Sequence, residues 1–179
     1  MDSQEMIERY LLLLLGVKEL AMPSALHLQK EMFLLSNFKE TLKEDLNFKK
    51  HYYGPFSQII EESIKSPTYL SKVFEFSGER VSLSEEGKIE FNRMMEENKD
   101  KEEFDIILSG ITLIRNIYDK LNGEELLFLI YSTYPEYTEF SKVSDDLLKN
   151  VSNRNKILNN LLSKGVITEE RYEELKNDG

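Results

Sequence analysis

At 179 residues, 40% hydrophobic and 31% charged, the chain has the composition of a soluble globular protein with enough length for one domain or two small ones. Eight glycines and four prolines favour helices over a strand-and-turn architecture, and the absence of cysteine excludes disulfides, thiolate chemistry and cysteine-based zinc sites. The net charge of −10 is spread over both halves, with 13 Lys+Arg against 18 Asp+Glu in residues 1–100 and 10 against 15 in residues 101–179, so neither half carries the basic footprint of a nucleic-acid binder.

In chain order, the first predicted helix covers Ser3 to Val17, apolar over most of its circumference and therefore central. Its run Tyr10–Leu15 is too short for a membrane span and lacks a small-residue cleavage site, so a cytoplasmic chain with no membrane partner is expected. Pro23-Ser24 opens a second helix with Ser24 as N-cap. Lys39 to Lys50 alternates charges and reads as a helix end plus loop. Gly54-Pro55 reads as the start of a third helix, Phe56 to Ser66, with Phe56, Ile59, Ile60 and Ile64 on one face and Ser66-Pro67 as its stop.

Val73–Phe76 and Val81–Leu83, joined through Gly78, read as a β-hairpin. Ser84 caps the next helix, whose buried contacts are expected from Ile89, Phe91, Met94 and Met95. Residues 98–103, within the polar run Glu96–Glu103, read as a short linker. Beyond it, Phe104 to Leu121 repeats at helical spacing, Asn122 and Glu125 form a capping-box start, and a weaker helix follows from Phe140 to Val151. Helices from Asn155 to Lys164, ended by Gly165, and from Thr168 complete the chain. The expected architecture is mainly α: a winged helix-turn-helix with a small β-hairpin wing over residues 1–97, a polar linker over 98–103 and a C-terminal helical domain over 104–177.

Residues able to carry chemistry are sparse. His27 lies in an apolar helix and reads as a packed side chain, and His51 beside Lys49 and Lys50 reads as a surface contact. No nucleophile elbow, Gly-rich phosphate loop or HExxH is present. The doublets Glu61-Glu62, Glu124-Glu125 and Asp145-Asp146 are adjacent pairs whose members diverge by about 100° on a helix. No catalytic residue, metal or cofactor is assigned. A winged helix that reads DNA does so with its third helix, but here that helix offers Gln58, Glu61, Glu62, Ser63 and Lys65, two acids against one base. Protein recognition is the alternative the residues favour. Its candidate contacts are Lys49, Lys50, His51, Tyr52, Tyr53, Phe56 and Gln58, with a second aromatic group that includes Tyr134 and Tyr137. An acidic decoy of a nucleic-acid-binding protein is a third reading, and a homodimer is compatible with the apolar stripe from Phe104 to Leu121.

The stretch Gln29-Lys30-Glu31-Met32-Phe33-Leu34-Leu35, then His51-Tyr52-Tyr53-Gly54-Pro55-Phe56-Ser57, resembles the YwgA-like group of bacterial and archaeal winged-helix proteins. So does Leu126-Leu127-Phe128-Leu129-Ile130-Tyr131-Ser132-Thr133-Tyr134-Pro135-Glu136-Tyr137. The first half is more distantly similar to the Panacea-domain antitoxins. That resemblance implies a regulatory role in protein binding, as antitoxin or adaptor; that the chain is not an enzyme is expected from the residues themselves.

Overall fold

The first helix, α1 (Ser3–Gly16), begins where Asp2 accepts a hydrogen bond from the Gln4 N–H (3.1 Å). Leu11 through Leu15 are all buried, which makes α1 the central helix its sequence predicts. The computed structural model describes residues 2–177, which are mainly helical with two small antiparallel hairpins. Among them no helix is long and apolar enough to cross a membrane.

The chain divides into two compact units, residues up to Phe48 with 57–116, and residues 49–56 with those from 117 onward. The 98–103 turn falls inside the first of these.

In the first unit, α2 (Ala25–Ser36) starts at Ser24, whose hydroxyl accepts from the His27 N–H and also bonds the His27 ring (2.9 Å). His27 is buried, as a packed side chain should be. The charged segment after α2 is a separate helix, α3 (Glu40–Leu46), that buries Leu42 and Leu46 and closes on Asn47 in the left-handed conformation (φ 46°). Helix α4 (Gln58–Lys65) begins at Ser57, not Pro55. The Ser57 hydroxyl accepts from the Ile60 N–H and donates to the Leu46 carbonyl (2.6 Å), and this cap sets the start two residues later than the proline suggested. The Gln29 side-chain amide grips both backbone groups of Ser57, each at 2.9 Å, which bonds α2 to the start of α4.

Strands β3 (Phe74–Ser77) and β4 (Arg80–Leu83) form the expected hairpin, with Gly78 at positive φ in its tip. Met22 bridges to Val81 on the outer side of β4 through two backbone hydrogen bonds (2.8 and 3.2 Å). Helix α5 (Glu85–Glu97) buries Met94, but Ile89, expected inside, is 69% exposed.

Two glycines are required by contact. A Cβ on Gly16 would lie 2.2 Å from the Phe91 ring, and one on Gly87 would lie 2.3 Å from the Val73 carbonyl oxygen. A ring can turn aside; a backbone carbonyl held by the Ser84 N–H (2.9 Å) cannot. Gly87→Ala is therefore expected to cost about 3 kcal/mol in urea denaturation, and Gly16→Ala less.

The helix α6 (Glu102–Tyr118) buries Ile111, Ile114 and Arg115. Arg115 donates to the carbonyls of Leu14 (2.6 Å) and Leu20 (3.0 Å), with its Nε 3.8 Å from the buried Glu31 carboxylate. Nearby in sequence to Glu31, Lys30 is also buried, and burial pushes its ammonium down to about 7.

In the second unit, strands β1 (Lys49–His51) and β2 (Gly54–Phe56) pair antiparallel. Helix α7 (Gly123–Thr133) opens with the capping box that Asn122 and Glu125 predict. A 3-10 turn (Pro135–Thr138) follows α7, and the weak helix expected from Phe140 to Val151 is the shorter α8 (Ser144–Leu148). Helix α9 (Val151–Ser163) starts earlier than expected because Asn150 caps it, and it ends at Gly165 (φ 63°). Helix α10 (Glu169–Asn177) buries Leu175.

Glu125 ties α7 to the end of α9 through Lys164 (2.6 Å). Burial would raise its carboxyl, but the Lys164 ammonium and the Asn122 N–H outweigh burial and hold it below its ordinary value of 4.5. A depressed folded value means the stabilisation is complete above pH about 4.5 and is lost as pH falls through the folded value. Glu125→Gln is expected to flatten that acid limb of the melting temperature, measured by calorimetry from pH 7 to 3.

Candidate functional site

Strands β1 and β2 are joined by a two-residue turn, since His51 pairs with Gly54. Tyr52 and Tyr53 therefore form the hairpin tip, and Gly54 supplies the positive φ (79°) that brings the chain back. The tip is an aromatic projection: Tyr52 and Tyr53 are 49% and 48% exposed. Pro55 is tolerated because a two-stranded sheet leaves one edge without a ladder partner.

This hairpin packs with the 3-10 turn and α7, so the two aromatic groups that lie about eighty residues apart in sequence share one surface. The attachment is specific. The Lys142 N–H donates to the Tyr52 carbonyl (3.1 Å), and the Lys142 ammonium lies 4.0 Å from the centre of the Tyr52 ring. Lys50 is ion-paired with Glu139. The His51 ring lies 5.0 Å from Tyr52 and 4.9 Å from Phe56, an aromatic run along the hairpin.

Tyr134 and Tyr137 are half-buried beside the hairpin, while Tyr131 is buried and bonds Ser141 (2.8 Å). Tyr131 is thus a core residue and not a contact. Burial raises the phenols of Tyr131, Tyr134 and Tyr137, and Glu136 adds to the rise at the latter two. Lys49 and Phe140 complete the exposed rim.

Of the residues singled out from sequence, Lys49, Lys50, His51, Tyr52, Tyr53, Phe56, Tyr134 and Tyr137 all fall in this unit. Gln58 does not: it sits on α4 in the other unit and donates to Glu62 (3.2 Å). On that helix Lys65 is committed to Glu61. Sequence reasoning missed Lys142 and Glu139, which lie in an aperiodic loop and gain meaning only through the hairpin. Lys49, Lys50 and Lys142 against Glu136 and Glu139 make the surface locally positive in an acidic chain.

No protein-family model and no curated protein matches the chain.

Proposed function

We propose that the chain is a non-enzymatic regulator or adaptor of the cytoplasm that binds another protein, and that the hairpin tip with the adjoining 3-10 turn is its contact surface. The observation that carries this reading is the exposed pair Tyr52 and Tyr53 on a braced turn, against which Lys142 and Glu139 are already placed. Rigid aromatics at the centre of a surface, ringed by polar groups, are the composition of interface hot spots. The winged-helix reading of the first unit is supported by its order, with α1, the Met22 bridge, α2 to α4 and then the β3–β4 hairpin, in which Met22 acts as a third strand. The resemblance to the YwgA-like group agrees with the winged-helix architecture, and the more distant one to antitoxins points toward the same class of role. Duplex readout by α4 is less well supported, because its one lysine is neutralised within the helix by Glu61 and a second acid, Glu62, remains beside it.

The test is co-purification of the tagged chain from host lysate, with and without nuclease. A stoichiometric protein that survives nuclease and is absent when Tyr52 and Tyr53 are both alanine is expected. Recovery of a defined DNA fragment that nuclease or high salt removes would replace this reading with transcriptional regulation.

A further inference from the structure

The capping box of α7 is built on Asn122-Gly123, the only Asn-Gly pair in the sequence. An asparagine followed by glycine is the pair most prone to lose its side-chain amide. The nucleophile is the next backbone nitrogen, and glycine has no Cβ to obstruct its approach. Every other asparagine of the chain is followed by a residue with a side chain. Asn122 is solvent-exposed. Gly123 is the first residue of α7, where backbone N–H groups have no acceptor within the helix.

The folded cap opposes the reaction. The Asn122 side-chain oxygen accepts from the Glu125 N–H (2.9 Å), and the Asn122 N–H donates to the Glu125 carboxylate (2.9 Å). Lys164 holds that carboxylate in turn (2.6 Å). The box fixes Asn122 in extended backbone, with ψ 173°. The five-membered ring that attack would form needs Cβ and the Gly123 nitrogen eclipsed about the Cα–C bond, which this ψ does not allow.

We infer that Asn122 is the chain's site of spontaneous deamidation and that the capping box is the latch that sets its rate. The Gly123 nitrogen bonds to the Asn122 side-chain carbonyl carbon. The bond from that carbon to its amide nitrogen breaks, and ammonia leaves with the proton that the Gly123 nitrogen gives up. Water then opens the cyclic imide at either carbonyl, so Asn122 becomes aspartate or isoaspartate, and nothing is oxidised or reduced. The two products differ in consequence. Aspartate caps a helix as well as asparagine does, and its charge suits a helix start. Isoaspartate inserts one more carbon into the backbone before Gly123, which takes the capping oxygen out of register with the Glu125 N–H. The box slows the reaction while closed, and isoaspartate then prevents it from closing again. The inference is independent of the partner surface on the hairpin.

Peptide mapping by mass spectrometry tests it, on the full chain incubated in mildly alkaline buffer. The peptide containing Asn122 is expected to be the first to gain about one mass unit, and to separate chromatographically into aspartate and isoaspartate forms. The gain is expected to be faster in urea-unfolded wild type than in the native chain. Folded Glu125→Ala, with its fold checked by circular dichroism, is expected to react about fivefold faster than wild type, the factor that a capping interaction is worth. Asn122→Ser caps without an amide, so that peptide should gain no mass while the thermal melt is unchanged. In the isolated isoaspartate form, amides at the start of α7 are expected to exchange faster than in the aspartate form. A first gain at another asparagine overturns the inference. So does a native rate that neither urea nor Glu125→Ala raises, or an isoaspartate form whose α7 amides exchange at the wild-type rate.

Discussion

Arg115→Met is expected to destabilise the first unit by about 3–5 kcal/mol, the largest loss from any single substitution considered. Arg115 is completely buried, and its guanidinium does two jobs. One is to donate to the carbonyls of Leu14 and Leu20, at and just beyond the end of α1, where the helix leaves carbonyls without intrahelical donors. The other is to place a positive charge near the Glu31 carboxylate, which is also fully buried. Methionine fills a similar volume but supplies neither donor nor charge, so Glu31 loses its nearest guanidinium in a site water cannot reach. Arg115→Lys keeps the charge and loses the fork, and should fall between the two. Urea denaturation measures the effect; a loss under about 1 kcal/mol for the methionine variant would show that the polar cluster contributes little.

Glu8→Ala is expected to cost about 3–4 kcal/mol and to free the loop that follows α4. The Glu8 carboxylate is buried on α1 and accepts three successive backbone N–H groups, from Thr68 (2.7 Å), Tyr69 (2.8 Å) and Leu70 (2.7 Å), as well as the Gln4 amide (2.8 Å). Successive amides converging on one anion form a nest, and hydrogen bonds to a charged acceptor are about twice as strong as neutral ones. Alanine removes the acceptor for all four. Amide exchange at Thr68, Tyr69 and Leu70 should accelerate well beyond the global change, because the loop loses its anchor while the helices keep theirs. Uniform acceleration across the first unit would mean that Glu8 holds the whole unit and not the loop in particular.

These two residues also mark where sequence reading stops. The helices were legible because their signals are local: Ser24, Ser84 and Asn122 sit at caps, and the apolar stripes repeat at helical spacing. The β3–β4 hairpin was legible from Gly78 between two β-rich runs. Arg115, Glu31 and Glu8 gave no such signal. Each is a charged residue in a helix, and only contacts across roughly 60 to 100 residues of chain show that it is buried and held. The β1–β2 hairpin was hidden for a different reason. Lys49, Lys50 and His51 are all exposed, so no alternation marks the strand, and Gly54-Pro55 imitates a helix start until Ser57 is seen to cap α4. The aromatic residues of the candidate surface were legible as types. Their convergence was not, because it depends on that hairpin. Ile89 shows the converse error, an apolar residue at helical spacing that faces water.

The most direct test of the proposed function is the affinity of the co-purified partner for the wild type and for Tyr52→Ala with Tyr53→Ala, measured by calorimetric titration. Both side chains are about half exposed at a turn, so the double variant should keep the wild-type thermal melt. A loss of about 30-fold or more in affinity is predicted, the size expected when hot-spot aromatics are truncated. An unchanged affinity with the fold intact would contradict the assignment of the hairpin tip as the contact surface.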